Sequence, residues 1–160
     1  MSWRRRFKVV GFLVGIGVLA FVGASVPQRL VYSPTPSEGA RLFFRLASAR
    51  PVSRGDYIVF PMKTDLIEMC RNGCLMLKQV QCLEGDYLET KGLDYYCNGR
   101  YLGTAKTKTL KGEPVVPFRY TGRIPRGKAF VVGKHKDSYD SRYCGFVDLD
   151  SVVARVVPII

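Results

Sequence analysis

Serine and lysine are the residues here whose setting could support catalysis, because the usual side-chain base is nearly absent. His135 is the sole histidine, so the chain offers neither a Ser–His–Asp nor a Cys–His set. A hydrolase built from it needs lysine as the base. An unperturbed lysine, with a pKa near about 10.4, is an ammonium at neutral pH, and lowering it by about 3 units takes roughly 4 kcal/mol of destabilisation of the charged form. An apolar surround supplies that by desolvation. Lys78 lies in Leu75-Met-Leu-Lys78-Gln-Val80, the most apolar setting of any lysine outside the first 26 residues. In a strand its side chain shares a face with Met76 and Val80. An exposed lysine guarding an edge strand fits the same pattern, and the residues alone leave both readings open. Serines such as Ser33 and Ser37 equally suit turns and helix caps.

Four segments in order give a family context. They are Ser33-Pro-Thr-Pro-Ser37, Arg54-Gly-Asp-Tyr-Ile-Val-Phe60, Leu77-Lys78-Gln-Val80 with Glu84-Gly-Asp86, and Ser138-Tyr-Asp140-Ser-Arg142-Tyr-Cys-Gly145. Together they resemble the nucleophile, Arg-Gly-Asp, lysine and Ser-x-Asp-Ser-Arg boxes of the signal peptidase family of Ser–Lys peptidases. The last box is the most specific. Within that family the chain looks most like the TraF-like conjugal-transfer pilin peptidases, whose pattern is roughly Asn-x-Thr-x-Ser-x-Pro-x-Gly-Leu-Tyr. Thr35, Ser37, Leu42 and Phe43 match it; Ser33, Gly39 and Arg41 replace its Asn, Pro and Gly, and Gln79 stands where the lysine box usually has Arg.

The resemblance implies Ser37 as nucleophile and Lys78 as general base, with Ser33, in Ser33-x-x-Pro36, as the rival nucleophile. It implies an oxyanion held by the Ser37 N–H and the Thr35 hydroxyl, and Ser138 orienting the lysine amine. Asp140 and Arg142 are expected to pair behind the site, Asp140 counting among the catalytic group. No metal or organic cofactor is implied. The expected partner is a peptide substrate, either a pilin or a signal-peptide-bearing precursor.

These residues need elements to position them. Glycine (16), proline (9), and nine each of Tyr and Phe point to a turn-rich, mainly β protein. Of the net charge of +12, four charges fall in Arg4, Arg5, Arg6 and Lys8, and the rest are scattered. Membrane lipid therefore fits as a partner better than nucleic acid. Val9 to Val26 carries no charge over 18 residues, roughly 27 Å as a helix, which suits a bilayer core. The positive-inside rule then puts a basic tail at 1–8 in the cytoplasm, behind an anchor at 9–26, and residues 27–160 on the far side. The resemblance implies that 27–160 is a periplasmic peptidase domain on a single-pass bacterial inner-membrane protein. The expected fold is a signal-peptidase-like antiparallel β domain on one N-terminal transmembrane helix.

Strands are expected at Asp56–Phe60, Cys74–Val80, Ala129–Val132 and Cys144–Leu149. A hairpin is expected from Asp86–Glu89 with Tyr95–Tyr101, Asn98-Gly99 being a turn signal. The apolar tail, Val152–Ile160, should close the sheet, and Ala40–Ala49 reads as a helical turn or a strand. The five cysteines lack zinc-ribbon spacing. Cys70 with Cys74 and Cys82 with Cys97 are candidate disulfides, which leaves Cys144 free.

Overall fold

The computed structural model describes residues 11–17, 20, 23, 29–35 and 38–159. Backbone contacts divide the chain into two units, Met1–Leu30 and Val31–Ile160. In the first, residues 11–17, 20 and 23 are helical. Among the described residues no helix is long and apolar enough to cross a membrane; the expected 9–26 span lies mostly outside them.

The second unit is mainly β, as expected, and the strand pairs whose register is described are antiparallel. Its strands are β1 (Leu30–Tyr32), β2 (Leu42–Arg45), β3 (Tyr57–Met62), β4 (Cys74–Leu83), β5 (Tyr87–Lys91), β6 (Asp94–Cys97), β7 (Arg100–Thr104), β8 (Gly122–Arg123), β9 (Lys128–Val132), β10 (Val147–Asp148) and β11 (Ala154–Pro158). They form a seven-stranded sheet in the order β1-β2-β11-β3-β4-β9-β10 and a four-stranded sheet in the order β7-β6-β5-β8.

Burial explains the central strands. Tyr57 to Phe60 and Ala129 to Val132 are runs of four buried residues, because β3 and β9 have neighbours on both edges and packing on both faces. Each fully buried Ile, Val or Phe here contributes about 1.5–3 kcal/mol. One core joins the two sheets around Leu88, Tyr95, Ile124 and Phe130, with the Cys82–Cys97 disulfide inside it. The Cys70–Cys74 bond closes the turn before β4, and Cys144 is free.

Two expectations change. Tyr95–Tyr101 is two strands rather than one, because Asn98 and Gly99 take φ of 49° and 79°, the left-handed pair of a two-residue hairpin turn. Cys144–Leu149 is likewise not one strand. A short helix, Ser141–Cys144, ends there and only Val147–Asp148 extends. The Asp140 carboxylate accepts from the Arg142 N–H at the start of that helix, an N-cap that favours the helix there. The tail does close the sheet, with β11 placed between β2 and β3.

The Arg54 and Asp86 boxes meet at the corner between the sheets. Arg54 Nη2 donates to Asp86 Oδ1 at 2.5 Å, and the Leu83 N–H to Asp86 Oδ2 at 2.8 Å. Burial raises the Asp86 carboxyl, but the Leu83 amide and then the Arg54 and Asn98 side chains outweigh it and hold it low. Its contribution to stability is therefore present above the unfolded value of 3.8 and lost as pH falls through the lower folded value. Asp86→Ala should cost about 1–3 kcal/mol in urea unfolding at pH 7, since it orphans the Leu83 N–H. The difference should shrink below pH 4. A variant as stable as the parent at pH 7 would refute this role.

Candidate functional site

Lys78 sits on β4, an interior strand flanked by β3 and β9, opposite Ile58. It is 3% exposed, so the edge-strand reading gives way to the buried one. Its Nζ lies 3.2 Å from Glu38 Oε1, and Glu38 is itself 1% exposed. Glu38 follows directly on Ser37, which lies outside the described residues. Gly39, at φ +74°, adopts a backbone that favours glycine and turns the chain immediately after Glu38.

Behind this pair the loop from β9 to the short helix is tied by a second buried ion pair. Arg142 Nε donates to Asp140 Oδ1 at 2.9 Å and Nη2 to Oδ2 at 2.8 Å. Asp140 Oδ2 also accepts from the Gly133 N–H at 2.9 Å. Gly133 has to be glycine. A Cβ built there would stand 2.1 Å from Ser138 Oγ and 2.9 Å from Glu38 Oε1. The Ser138 hydroxyl and Glu38 Oε2 are both buried and lack a hydrogen-bond partner among the described residues. Ser138 is thus brought beside the Glu38 end of the pair.

On the other side, the Ser33 hydroxyl donates to the Thr35 carbonyl at 3.0 Å, and the Ser33 N–H to the Arg41 carbonyl at 2.8 Å. Ser33 is buried and spends its hydroxyl on a turn; Thr35 is exposed. Ser33, Thr35, Lys78, Ser138 and Tyr139 all line one groove of about 670 Å³. Edge strand β1 borders it through Val31 and Tyr32. Lys106 and Asp137 pair on its rim.

The electrostatics single out Glu38. Desolvation pushes its carboxyl up to about 7, against the lowering by Lys78, with Asp140 adding to the rise and Lys134 opposing it. The sequence reading missed this residue. One signal was present: Glu38 is the only acidic residue before Asp56. Elsewhere, burial pushes the Cys144 thiol up to about 12, which leaves no thiolate for nucleophilic attack. His135 stands half exposed beside Asp137. The cluster Cys82, Asp86 and Cys97 offers metal-ligand atoms by position, but both sulfurs are joined in the disulfide.

The sequence matches the family described as "Signal peptidase, peptidase S26" over residues 2–160. The chain belongs to this signal peptidase family. It is 34% identical over 119 residues to "Signal peptidase I" of Bacillus caldolyticus, an alignment covering 66% of this chain and 60% of that protein. It is also 26% identical over 152 residues to "Probable signal peptidase I-2" of Synechocystis sp., covering 92% of this chain and 67% of the relative. Among solved structures it resembles a signal peptidase I from Enterococcus faecalis V583, with a TM-score of 0.43 and 30% identity over 67% of this chain and 97% of that one. The chain therefore spans 60% of the length of the Bacillus relative. The TraF-like branch is not distinguished by these signal peptidase similarities.

Proposed function

We propose that this chain is a membrane-anchored serine peptidase that cuts an exported precursor at the outer face of the bacterial inner membrane, with Ser37 as nucleophile and Lys78 as base. The observation that carries this reading is the burial of Lys78 on an interior strand at the groove, against the residue that follows Ser37. Ser37 Oγ attacks the scissile carbonyl while Lys78, as the free amine, takes its proton and returns it to the leaving amine. The Ser37 N–H and Thr35 hydroxyl hold the oxyanion, each such donor being worth about 2.7–4 kcal/mol. Asp140 and Arg142 hold the loop that carries Ser138, and Ser138 orients the amine. The turn bond of the Ser33 hydroxyl supports Ser37 over Ser33.

An extended peptide pairs along edge strand β1, beside the groove. Residues 9–26 act as the anchor, 1–8 as the cytoplasmic tail and 27–160 as the periplasmic peptidase domain. Tethering confines enzyme and substrate to one surface and raises their effective concentration. The substrate is a small pilin of a conjugation system, on the strength of the Thr35, Ser37, Leu42 and Phe43 pattern. Acyl transfer to the pilin's own amine instead of water would cyclise it by the same chemistry. A second reading, removal of signal peptides from many precursors, is favoured by the relatives named signal peptidase I.

The full chain in lipid vesicles, given a pilin precursor or a signal-peptide precursor, tests the reading. Mass spectrometry should show cleavage after a small residue, and a cyclic product one water lighter than the linear one. Ser33→Ala should cleave within about threefold of the parent, the size of a change outside the chemistry. Absence of cleavage of both precursors, or an inactive Ser33→Ala, would sink it.

A further inference from the structure

The Lys78–Glu38 contact poses a chemical problem for a lysine base. A carboxylate at 3.2 Å in a buried pair stabilises an ammonium, whereas the reaction needs the free amine. Three further observations concern Glu38. Its side chain is fully buried, and Oε2 has no hydrogen-bond partner among the described residues. The space for Oε1 exists because Gly133 lacks a Cβ, and Gly133 is fixed in turn by Asp140. Gly39, with its positive φ, makes the turn that follows it. The pocket around this carboxyl is built, and a permanent anion left half-satisfied in it would be costly.

Building on the Ser37–Lys78 reading, we propose that Glu38 is a positioning residue that takes the Lys78 ammonium proton within the buried pair and so presents Lys78 to the serine as a free amine. The proton moves from Nζ to Oε1, turning the ion pair into its neutral tautomer, a carboxylic acid beside an amine. No proton leaves for solvent and no other bond changes. Glu38 keeps that proton while Nζ takes the one from Ser37 Oγ, hands it to the leaving amine, and repeats the cycle with water in deacylation.

The charged groups facing Glu38 are Lys78 from β4, Lys134 from the segment after β9, and Asp140 at the start of the short helix. Lys134 is partly engaged by the Tyr57 ring from β3. Burial pushes the Glu38 carboxyl up to about 7 against the lowering by Lys78, so near neutral pH it can accept a proton even beside the ammonium.

The acid limb of kcat/KM reports the free enzyme, so pH profiles of the full chain in vesicles give the test. In the parent the limb should fall near pH 7, where the pair takes up a second proton. In Glu38→Gln the pair can no longer share its proton, and the limb should move alkaline by about one unit or more, with KM little changed. Glu38→Asp should restore the limb towards the parent. A limb that stays put or moves acid in Glu38→Gln makes Glu38 a mere counter-ion and overturns the proposal.

Carboxyl carbon shifts in the glutamate-labelled parent do not depend on a variant folding. One of the five glutamates should titrate near pH 7; all five titrating with ordinary carboxylates overturns the proposal. If Ser37→Ala and Lys78→Met are dead while Glu38→Gln keeps the parent profile, only this inference fails. An active Ser37→Ala removes the Ser–Lys reading itself.

Discussion

Lys78→Met should abolish useful cleavage at every pH, a loss in kcat of about 10²–10⁴-fold from the missing general base alone. Ser37→Ala should lose as much, and the double variant little more, because nucleophile and base act as a unit. The methionine roughly keeps the stem's volume, so packing against Ile58 and Val80 survives. What changes is Glu38. Without the ammonium, desolvation acts nearly unopposed and its carboxyl rises beyond the parental value of about 7. A carboxyl raised above its unfolded value of 4.5 binds its proton more tightly when folded. Its favourable contribution is therefore complete below 4.5 and is lost as pH rises through the folded value. In the parent that window ends near 7; in Lys78→Met it extends further. Urea unfolding should find the variant close to the parent at pH 5 and progressively weaker towards pH 8, by up to about 1.4 kcal/mol per unit. A variant that still cleaves, or a stability gap that ignores pH, would refute the account.

Chemistry over short sequence distances was legible in the residues and their family resemblance, and chemistry across the fold was not. The apolar runs Tyr57–Phe60 and Ala129–Val132 became central strands because an uninterrupted run of that kind has to be covered on both faces. The Asp140–Arg142 pair was readable because its members stand two positions apart and the resemblance to the Ser-x-Asp-Ser-Arg box marks them. The Cys70–Cys74 bond was foreseeable from a short loop around a turn, and Cys82–Cys97 was the second candidate pair. Where the reading slipped, local signals competed. Asn98-Gly99 ended a strand that β-propensity alone would have continued. The Asp140 cap drew Ser141–Cys144 into a helix and left only Val147–Asp148 extended. Glu38 was invisible for a different reason: its partner is 40 residues away, and its effect exists only once β4 and the Gly133 loop enclose it. The bulk charge, too, said nothing of a buried carboxyl.

Asp140→Asn should be the most damaging isosteric change behind the site. The carboxylate takes four donors: the Gly133 and Arg142 N–H groups, Arg142 Nε and Arg142 Nη2. An amide keeps one acceptor oxygen, and its NH₂ would face donors. Arg142, 3% exposed, would then keep a buried charge with no counter-ion. Breaking such a pair costs about 3–5 kcal/mol, which for a chain of this length is a fall in Tm of roughly 6–20 °C. Activity should fall further than stability explains, because a loosened Gly133 no longer holds the space shared by Ser138 Oγ and Glu38 Oε1. Replacing both partners, Asp140→Leu with Arg142→Met, separates the two effects. Exchanging a whole buried ion pair for apolar side chains is often close to neutral for stability, so the double variant should regain much of its Tm. It should stay poorly active, since the Gly133 N–H still lacks its acceptor. A double variant that recovers cleavage along with Tm would mean that the pair serves the fold alone.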